Sequence, residues 1–369
     1  MARVQPTWPA GSPGPCRIAI VGDCPTDGDV FAGRPFAGEM GRELDAQLAT
    51  AGIDRAECLL TNVIADQPPG NSLAAFCIRK EDLPSGYPLH IGPMVKNSGD
   101  LYLHPDRLAE GARLRSELEA ARPNVVVALG PTACWALLGS TSLSGLRGSV
   151  HRSITRTPFK VVPTWHPSLV LRQWKERPVA IADLVKAQRE SAYPDIRYDN
   201  AELWLRPTLD DLYEFERRYM RGPHANSVDV ETARGEITCV GFAPTDRHAI
   251  VVPFRTDPVQ LKLNGVLTWV MTGNYWPNFG QERAAWQWVK RNLERDDVSL
   301  MGQNFMYDMQ YFIRHGIYPK HPTDDSMLMH HSRYPELQKD LGFLGSIYTN
   351  HPSWKLLNSR HADEFKQGN

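Results

Sequence analysis

Residues 18–38, IAIVGDCPTDGDVFAGRPFAG, constrain the fold more than any other stretch. Ile18, Ala19, Ile20 and Val21 form a continuous apolar run closed by Gly22. Such a run suits a strand buried on both faces, as in a parallel sheet covered by helices, and not the in-out alternation of a half-exposed sheet. The loop that follows then lies at the strand's carboxyl end, where open α/β sheets bind their ligands. That makes Asp23, Asp27 and Asp29 candidate chemical groups and Phe36 a candidate stacking surface. The same residue types also build ordinary turns, so the loop alone leaves both readings open.

The pattern downstream alternates helix and strand. Apolar Leu44 and Leu48 at helical spacing predict a helix over 39–51, stopped by Gly52. A second strand over 59–64 brings Asn62 to the same sheet end, followed by the turn Gln67-Pro68-Pro69-Gly70-Asn71. Residues 72–104 show no period and read as an insertion. A helix over 105–121, a strand over 125–129, a helix from Gly130 through Leu138 and a strand opening at Val161 and Val162 complete the alternation. The last strand ends in Thr164-Trp165-His166-Pro167-Ser168. Strands alternating with helices imply a parallel sheet with helices on both faces. After a break at 193–200 the order changes to strands over 227–230, 236–243 and 249–253, then a helix over 281–294 and a strand over 298–301, the mark of a second domain. Residues 1–15, rich in Pro and Gly, read as a flexible tail, and 356–369 as a polar one.

At 369 residues the chain has room for two domains with separate cores. No apolar run approaches the roughly 18 to 20 residues that span a bilayer and no signal-peptide layout opens the chain, so a cytoplasmic protein with no membrane partner is expected. The six cysteines contain no C-x-x-C pair and read as free thiols. A net charge of -1 excludes a protein that coats nucleic acid by bulk electrostatics. Any DNA contact is therefore local; Arg147, His151, Arg152, Arg156, Lys160 and Arg172 gather basic charge, a spread that more often makes a solvated face than a phosphate track.

The loop with Asp23 and Phe36, the strand end with Asn62 and the strand end with His166 converge as types suited to holding one base. An aromatic face stacks on the ring, a carboxamide offers a donor and an acceptor to a Watson–Crick edge, and an imidazole stabilises a departing oxyanion. Together they resemble the uracil-DNA glycosylase superfamily, most closely its family 4 branch. Five elements carry the resemblance in order: Gly22-Asp23-Cys24-Pro25-Thr26 through Gly33-Arg34-Pro35-Phe36-Ala37-Gly38; Thr61-Asn62-Val63 with Pro68-Pro69-Gly70-Asn71; Val126-Val127-Ala128-Leu129-Gly130-Pro131-Thr132-Ala133; Leu146-Arg147-Gly148; and His166-Pro167-Ser168-Leu169-Val170-Leu171-Arg172. They cover roughly residues 16–190.

The resemblance implies a three-layer α/β/α domain with a parallel sheet over 16–192 that excises a flipped uracil by hydrolysing its N-glycosidic bond, without a cofactor in the chemistry. It implies that Phe36 stacks on the uracil, Asn62 reads its edge, His166 donates to the uracil anion, and Asp23 positions water or balances the oxocarbenium-like sugar. Cys24 and Ser168 complete the expected substrate contacts. Asp23 stands where the family has Glu, one methylene shorter, and Cys24 and Thr26 replace smaller residues. Asp66 occupies the motif position of a family iron–sulfur ligand and no C-x-x-C precedes the first strand, so no cluster is expected.

In the second domain Asp229 and Glu231 flank Val230 on a strand and so share a face. Asp308 in Asn304-Phe305-Met306-Tyr307-Asp308 follows the strand ending at Met301. Carboxylates in this pattern hold divalent cations for phosphodiester hydrolysis. SVDVET, GQNFMYD, Asp325-Ser326-Met327-Leu328-Met329-His330-His331 and Leu341-Gly342-Phe343-Leu344 resemble the first two motifs and following helix of the 3′-5′ proofreading domain of family A DNA polymerases, of viral type, over 200–355. That resemblance implies a ribonuclease H-like mixed-sheet domain with Asp229, Glu231 and Asp308 as Mg²⁺ or Mn²⁺ ligands and Asn304 in support. The third motif, Tyr-x-x-x-Asp, is missing, since Tyr348 is followed four positions on by Pro352, so the exonuclease domain reads as incomplete and weak or inactive.

The expected function is a DNA repair and replication protein acting on single-stranded DNA or on duplex with a flipped base, as part of or beside a viral replication polymerase. Two alternatives stand beside it: an inactive DNA-binding or polymerase-partner module, and a metal-dependent exonuclease completed by another chain.

Overall fold

The computed structural model describes residues 2–88, 92–96, 99–197, 201–256, 258–263, 266–271 and 273–349, with backbone alone for 258–263 and 266–271. The polar tail expected over 356–369 lies outside them. Residues 1–198 with 342–369 form one compact unit and 199–341 a second. Among the described residues no helix is long and apolar enough to cross a membrane.

The first unit is built on β1 (Ile18–Gly22), β2 (Leu59–Asn62), β5 (Val125–Leu129), β6 (His151–Arg152) and β7 (Lys160–Thr164), with β3 (Cys77–Arg79) and β4 (Leu101–Leu103) as a separate pair. Its helices are α1 (Asp27–Ala32), α2 (Gly38–Thr50), α3 (Ala109–Ala121), α4 (Gly130–Leu138), α5 (Leu143–Leu146), α6 (Pro167–Arg172) and α7 (Arg177–Glu190). The sheet order is β2-β1-β5-β7-β6, parallel throughout except for the edge strand β6. Every residue of β1 is buried, as the apolar run requires. Successive side chains of a strand point to opposite faces. Ala19 and Val21 accordingly pack with Leu114 and Leu118 of α3 and Ala133 of α4, while Ile18 and Ile20 pack with Leu44 and Leu48 of α2 and Leu184 of α7. The result is the three-layer α/β/α domain.

Three expectations are corrected here. The N-terminal segment is docked: Val4 is buried, and Arg3 and Thr7 bridge to Asp66 and Leu60 against β2. The insertion at 72–104 has a core of its own, with Phe76, Tyr87, Met94, Tyr102 and Leu103 buried. The basic group is not one surface, because Arg147 forms a buried ion pair with Asp183 at 3.1 Å and Lys160 one with Glu190 at 2.8 Å. Taking a charge out of water demands such a partner.

The second unit carries β8 (Glu202–Trp204), β9 (His224–Ala233), β10 (Glu236–Ala243), β11 (His248–Pro253), β12 (Pro258–Leu263), β13 (Val266–Met271), β14 (Val298–Gly302) and β15 (Pro322–Asp325). Its helices are α8 (Leu209–Tyr219), α9 (Phe279–Leu293), α10 (Met306–Arg314) and α11 (Ser326–Arg333), with α12 (Leu341–Tyr348) at its end. The main sheet runs β15-β14-β9-β10-β11-β8. β9, β10 and β11 are antiparallel, and β14 and β15 continue from β9 in parallel. This is the mixed sheet expected of a ribonuclease H-like domain, with one further strand, β8, added parallel to β11. Phe215 of α8, Trp288 of α9 and Phe312 of α10 fill its core. α12 was expected inside this domain. From Gly342 onward it belongs to the first unit, where Arg147 donates to the Ser346 hydroxyl at 2.9 Å and the Lys186 ammonium to the carbonyls of Ser346 and Thr349 at 3.1 and 2.8 Å.

Candidate active site

The site of the first unit lies at the carboxyl ends of β1 and β2. Gly22 and Asn62 are paired in register there. A Cβ at Gly22 would stand 2.6 Å from the Phe36 ring and 2.7 Å from Asn62 Oδ1, so only glycine lets the aromatic plate and the carboxamide meet at this point. Phe36 itself is held at φ +52, a left-handed conformation that costs a residue with a side chain about 1–3 kcal/mol. Its surroundings impose it. Arg55 donates to the carbonyls of Pro35 and Phe36 at 2.9 and 3.1 Å, and Asp29 Oδ1 accepts the Ala37 N–H at 2.6 Å. Asp29 also accepts from the Thr26 backbone and hydroxyl, capping α1. Asp27 is tied to Gln67 and Asn71 at the surface. Of the loop carboxylates named as candidates, these two are therefore committed to shaping the loop, and Asp23 remains.

Asp23 follows Gly22 directly, and its carboxylate and the His166 side chain both lie against Gly130. That glycine has φ +87, and a Cβ on it would lie 3.2 Å from His166 Cβ and 3.5 and 3.7 Å from the Asp23 oxygens. Asp23 Oδ1 is buried without a hydrogen-bond partner among the described residues. Burial pushes the Asp23 carboxyl above the ordinary range, opposed by the His166 charge and the Thr132 hydroxyl. His166 caps α6 with its own ring: Nδ1 accepts the Ser168 backbone N–H at 3.2 Å and lies 2.9 Å from the Ser168 hydroxyl. An Nδ1 that accepts leaves the proton of the neutral imidazole on Nε2, free to be donated. The structure thus brings Phe36, Asn62, Asp23 and His166 to one strand end. Ser168, expected against substrate, is engaged with the imidazole. Cys24 is half-buried and its thiol is pushed up to about 12 by burial and by Asp23 and Asp29, so it stays protonated and serves as packing.

The match that decides the assignment covers residues 8–189, which fit the profile of the uracil DNA glycosylase superfamily. The N-terminal unit is a domain of that superfamily. Among its relatives, the type-4 uracil-DNA glycosylase of Thermotoga maritima is 28% identical over 180 residues, covering 47% of this chain and 76% of that protein. The type-4 uracil-DNA glycosylase of Archaeoglobus fulgidus is 29% identical over 161 residues, covering 42% and 66%. Of solved structures, the Aedes aegypti Nibbler EXO domain aligns with a TM-score of 0.28 at 16% identity, covering 42% of this chain and 71% of that one. At that score it adds nothing to what the strand order of the second unit already gives.

Where the resemblance places an iron–sulfur ligand, the glycosylase-superfamily domain carries a carboxylate and not a thiol. Asp66, at the motif cysteine position, is paired with Arg3 and Arg107. Burial pushes the Cys58 thiol up to about 12 and that of Cys77 to about 11, and each donates to a backbone carbonyl, of Asp54 and of Leu73.

In the second unit Asp229 and Glu231 point out from one face of β9, as their spacing predicts. Asp308, 2% exposed, instead turns Oδ1 onto the Val230 N–H at 2.8 Å. Burial pushes its carboxyl up to about 6, with Asp229 and Asp325 adding to the rise and the Val230 N–H opposing it. Asp229 is likewise raised, by burial and by Glu231. Among the described residues no group of three or more His, Cys, Asp or Glu side chains is placed to hold a metal ion. Asp229, Glu231 and Asp308, expected as a ligand set, form no such group, and Asp308 Oδ1 is turned to the backbone of β9. Asp325, named in the sequence only as part of a motif and given no role, accepts the backbone N–H groups of Asn304 at 3.0 Å and Phe305 at 2.8 Å and fixes the turn that presents Asp308.

Two residues of the first site escaped the sequence reading as well. Thr132, whose hydroxyl opposes the rise of the Asp23 carboxyl, sits in the first turn of α4 within the Gly130-Pro131-Thr132-Ala133 motif, which was visible but given no role. Arg55 had no signal, since it acts on carbonyls of a loop about twenty residues away.

Proposed function

We propose that the first unit is a uracil-DNA glycosylase that hydrolyses the N-glycosidic bond of a uracil flipped into the pocket. The observation that carries this reading is the convergence of the Phe36 ring and the Asn62 carboxamide on Gly22, next to the Asp23 and His166 pair at Gly130. Phe36 supplies the stacking surface and Asn62 the hydrogen-bonding edge for the pyrimidine. His166 Nε2–H donates to the oxygen on which negative charge develops as uracil departs, and Asp23, whose Oδ1 has no protein partner, faces the cationic sugar or orients the attacking water. Full bond cleavage leaves an abasic site and free uracil, with water supplying the hydroxyl to the sugar. No metal takes part in these steps. The test is incubation of a uracil-containing oligonucleotide with the protein in EDTA, followed by alkali. Strand cleavage that His166→Ala abolishes is expected. Tight retention of the DNA with no product would leave only the binding-module reading standing.

For the second unit we propose a non-catalytic, DNA-binding role, in the setting of viral DNA replication that its motif order resembles. Support comes from the commitment of Asp308 to the Val230 amide. Release of 3′ nucleotides from single-stranded DNA with Mg²⁺ or Mn²⁺ is expected to be absent.

A further inference from the structure

The segment after Asn62 is locked by charges that the glycosylase chemistry does not use. Arg113 on α3 donates from Nη2 to the carbonyls of Asn62 at 2.5 Å and Val63 at 2.9 Å. Its Nε pairs with Glu110 at 2.7 Å and its Nη1 with Glu117 at 2.6 Å. Glu110 also accepts the Ala65 N–H at 3.1 Å and the Arg3 guanidinium at 2.9 Å. Asp66 is held between Arg3 and Arg107, and the Arg107 guanidinium lies 4.5 Å over the Phe76 ring. The chain is thus fixed at Asn62, Val63, Ala65 and Asp66, to α3, to the N-terminal segment and to the 72–104 insertion. Apart from Arg3, these side chains are less than about a quarter exposed, so solvent screens them far less than surface pairs. A guanidinium is required at Arg113, because only its planar fork serves two carbonyls and two carboxylates at once.

We propose that this ionic clasp occupies the place of the family's iron–sulfur staple, through Asp66 at the motif cysteine, and that Arg113 is the positioning residue that aims Asn62 at the base. The second half of the proposal rests on the glycosylase reading, and the first does not. The test uses the full chain, with uracil-containing and matched cytosine-containing single strands as probes and thermal unfolding as an independent readout. Asp66→Asn and Arg107→Gln are each expected to lower the unfolding temperature, with the double variant losing less than the sum of the two single losses. Arg113→Lys is expected to unfold cooperatively, to cleave uracil about 10²-fold more slowly and to narrow the preference for uracil over cytosine, which a purely structural role would leave unchanged. Should Arg113→Lys fail to fold, Glu117→Gln, which removes one carboxylate anchor of the fork, is expected to show the same narrowing in milder form. Additive unfolding losses, or stoichiometric iron in the purified protein, overturn the clasp. Wild-type rate and selectivity in the folded Arg113 or Glu117 variant overturn the positioning role. A wild-type protein that makes no abasic sites defeats the glycosylase reading, while the unfolding arms still decide the clasp.

Discussion

The two carboxylate sites of this chain differ in what their acids are bonded to. At the end of β1, Asp23 keeps Oδ1 buried and unpartnered, and the imidazole beside it keeps Nε2–H free because Ser168 occupies Nδ1. On β9, Asp308 has given Oδ1 to a backbone N–H, and the remaining acids do not gather into a ligand group among the described residues. Both sites carry acids raised by burial, so a perturbed carboxyl does not by itself separate chemistry from architecture. What separates them is unspent hydrogen-bonding capacity. A buried polar atom left unpaired costs free energy, a cost that the proposed chemistry would explain at Asp23 and does not explain at Asn226, whose carboxamide is also buried without a partner among the described residues.

The largest effect that sharpens this contrast is expected from the first site. His166→Ala removes the donor to the departing base, and loss of one such donor typically costs about 10²–10³ in rate. Single-turnover abasic-site formation measures it. Asp23→Asn is expected to lose activity as well and to abolish the acid limb of the pH profile: the raised carboxyl acts only when ionised, so activity falls as pH drops through its elevated pKa. A variant at 23 that keeps the wild-type acid limb would assign that limb elsewhere. Next in size is Gly22→Ala. Its methyl would meet the Phe36 ring and Asn62 Oδ1 at 2.6–2.7 Å, and displacement of either by about 1 Å is expected to slow cleavage about 10²-fold, with binding of abasic product largely kept. Wild-type cleavage by Gly22→Ala would mean that Phe36 and Asn62 do not act together.

How much of this was legible in the sequence follows from which interactions are local. β1, β5 and α4 were readable because their apolar runs and caps are contiguous, and the strand over 125–129 and the helix from Gly130 to Leu138 lie where the pattern places them. The placement of Asp23, Phe36, Asn62 and His166 at strand ends followed from the parallel-sheet inference. The docked N-terminal segment was not readable: Pro and Gly gave it no period, and its anchors Asp66 and Glu110 are more than sixty residues away in the chain. The allegiance of α12 was hidden for the same reason, since Arg147 and Lys186 hold it across a gap of about 160 to 200 residues. Spacing predicted that Asp229 and Glu231 share a face, and they do. It could not predict that the third acid would turn to a backbone amide of the same strand.

A smaller effect tests that last point through stability. The Asp308 carboxyl has a folded value near 6 against 3.8 in the unfolded chain. The protonated form is therefore the one favoured by folding, and this contribution is complete below 3.8 and lost as pH rises through about 6. Asp308→Asn keeps an oxygen acceptor for the Val230 N–H without the charge. It is expected to flatten that part of the stability profile and to stabilise the second unit at neutral pH by on the order of 1 kcal/mol, once solvent screening is allowed for. Urea titrations at pH 4 to 8 would read this as a midpoint difference that grows with pH. Destabilisation at neutral pH would show that the charge is needed in the fold.

The smallest expected effect is none at all. Asp229 lies on the open face of β9, raised by burial and by Glu231, with no third acid positioned to share a cation among the described residues. Asp229→Ala should leave uracil excision unchanged, and the protein should release no 3′ nucleotides before or after the change. If Mg²⁺ or Mn²⁺ instead elicits nucleotide release that disappears in Asp229→Ala, then Asp308 must leave the Val230 amide when the metal arrives. The acids of β9 would then be held in reserve, and unspent bonding capacity would no longer distinguish the two sites.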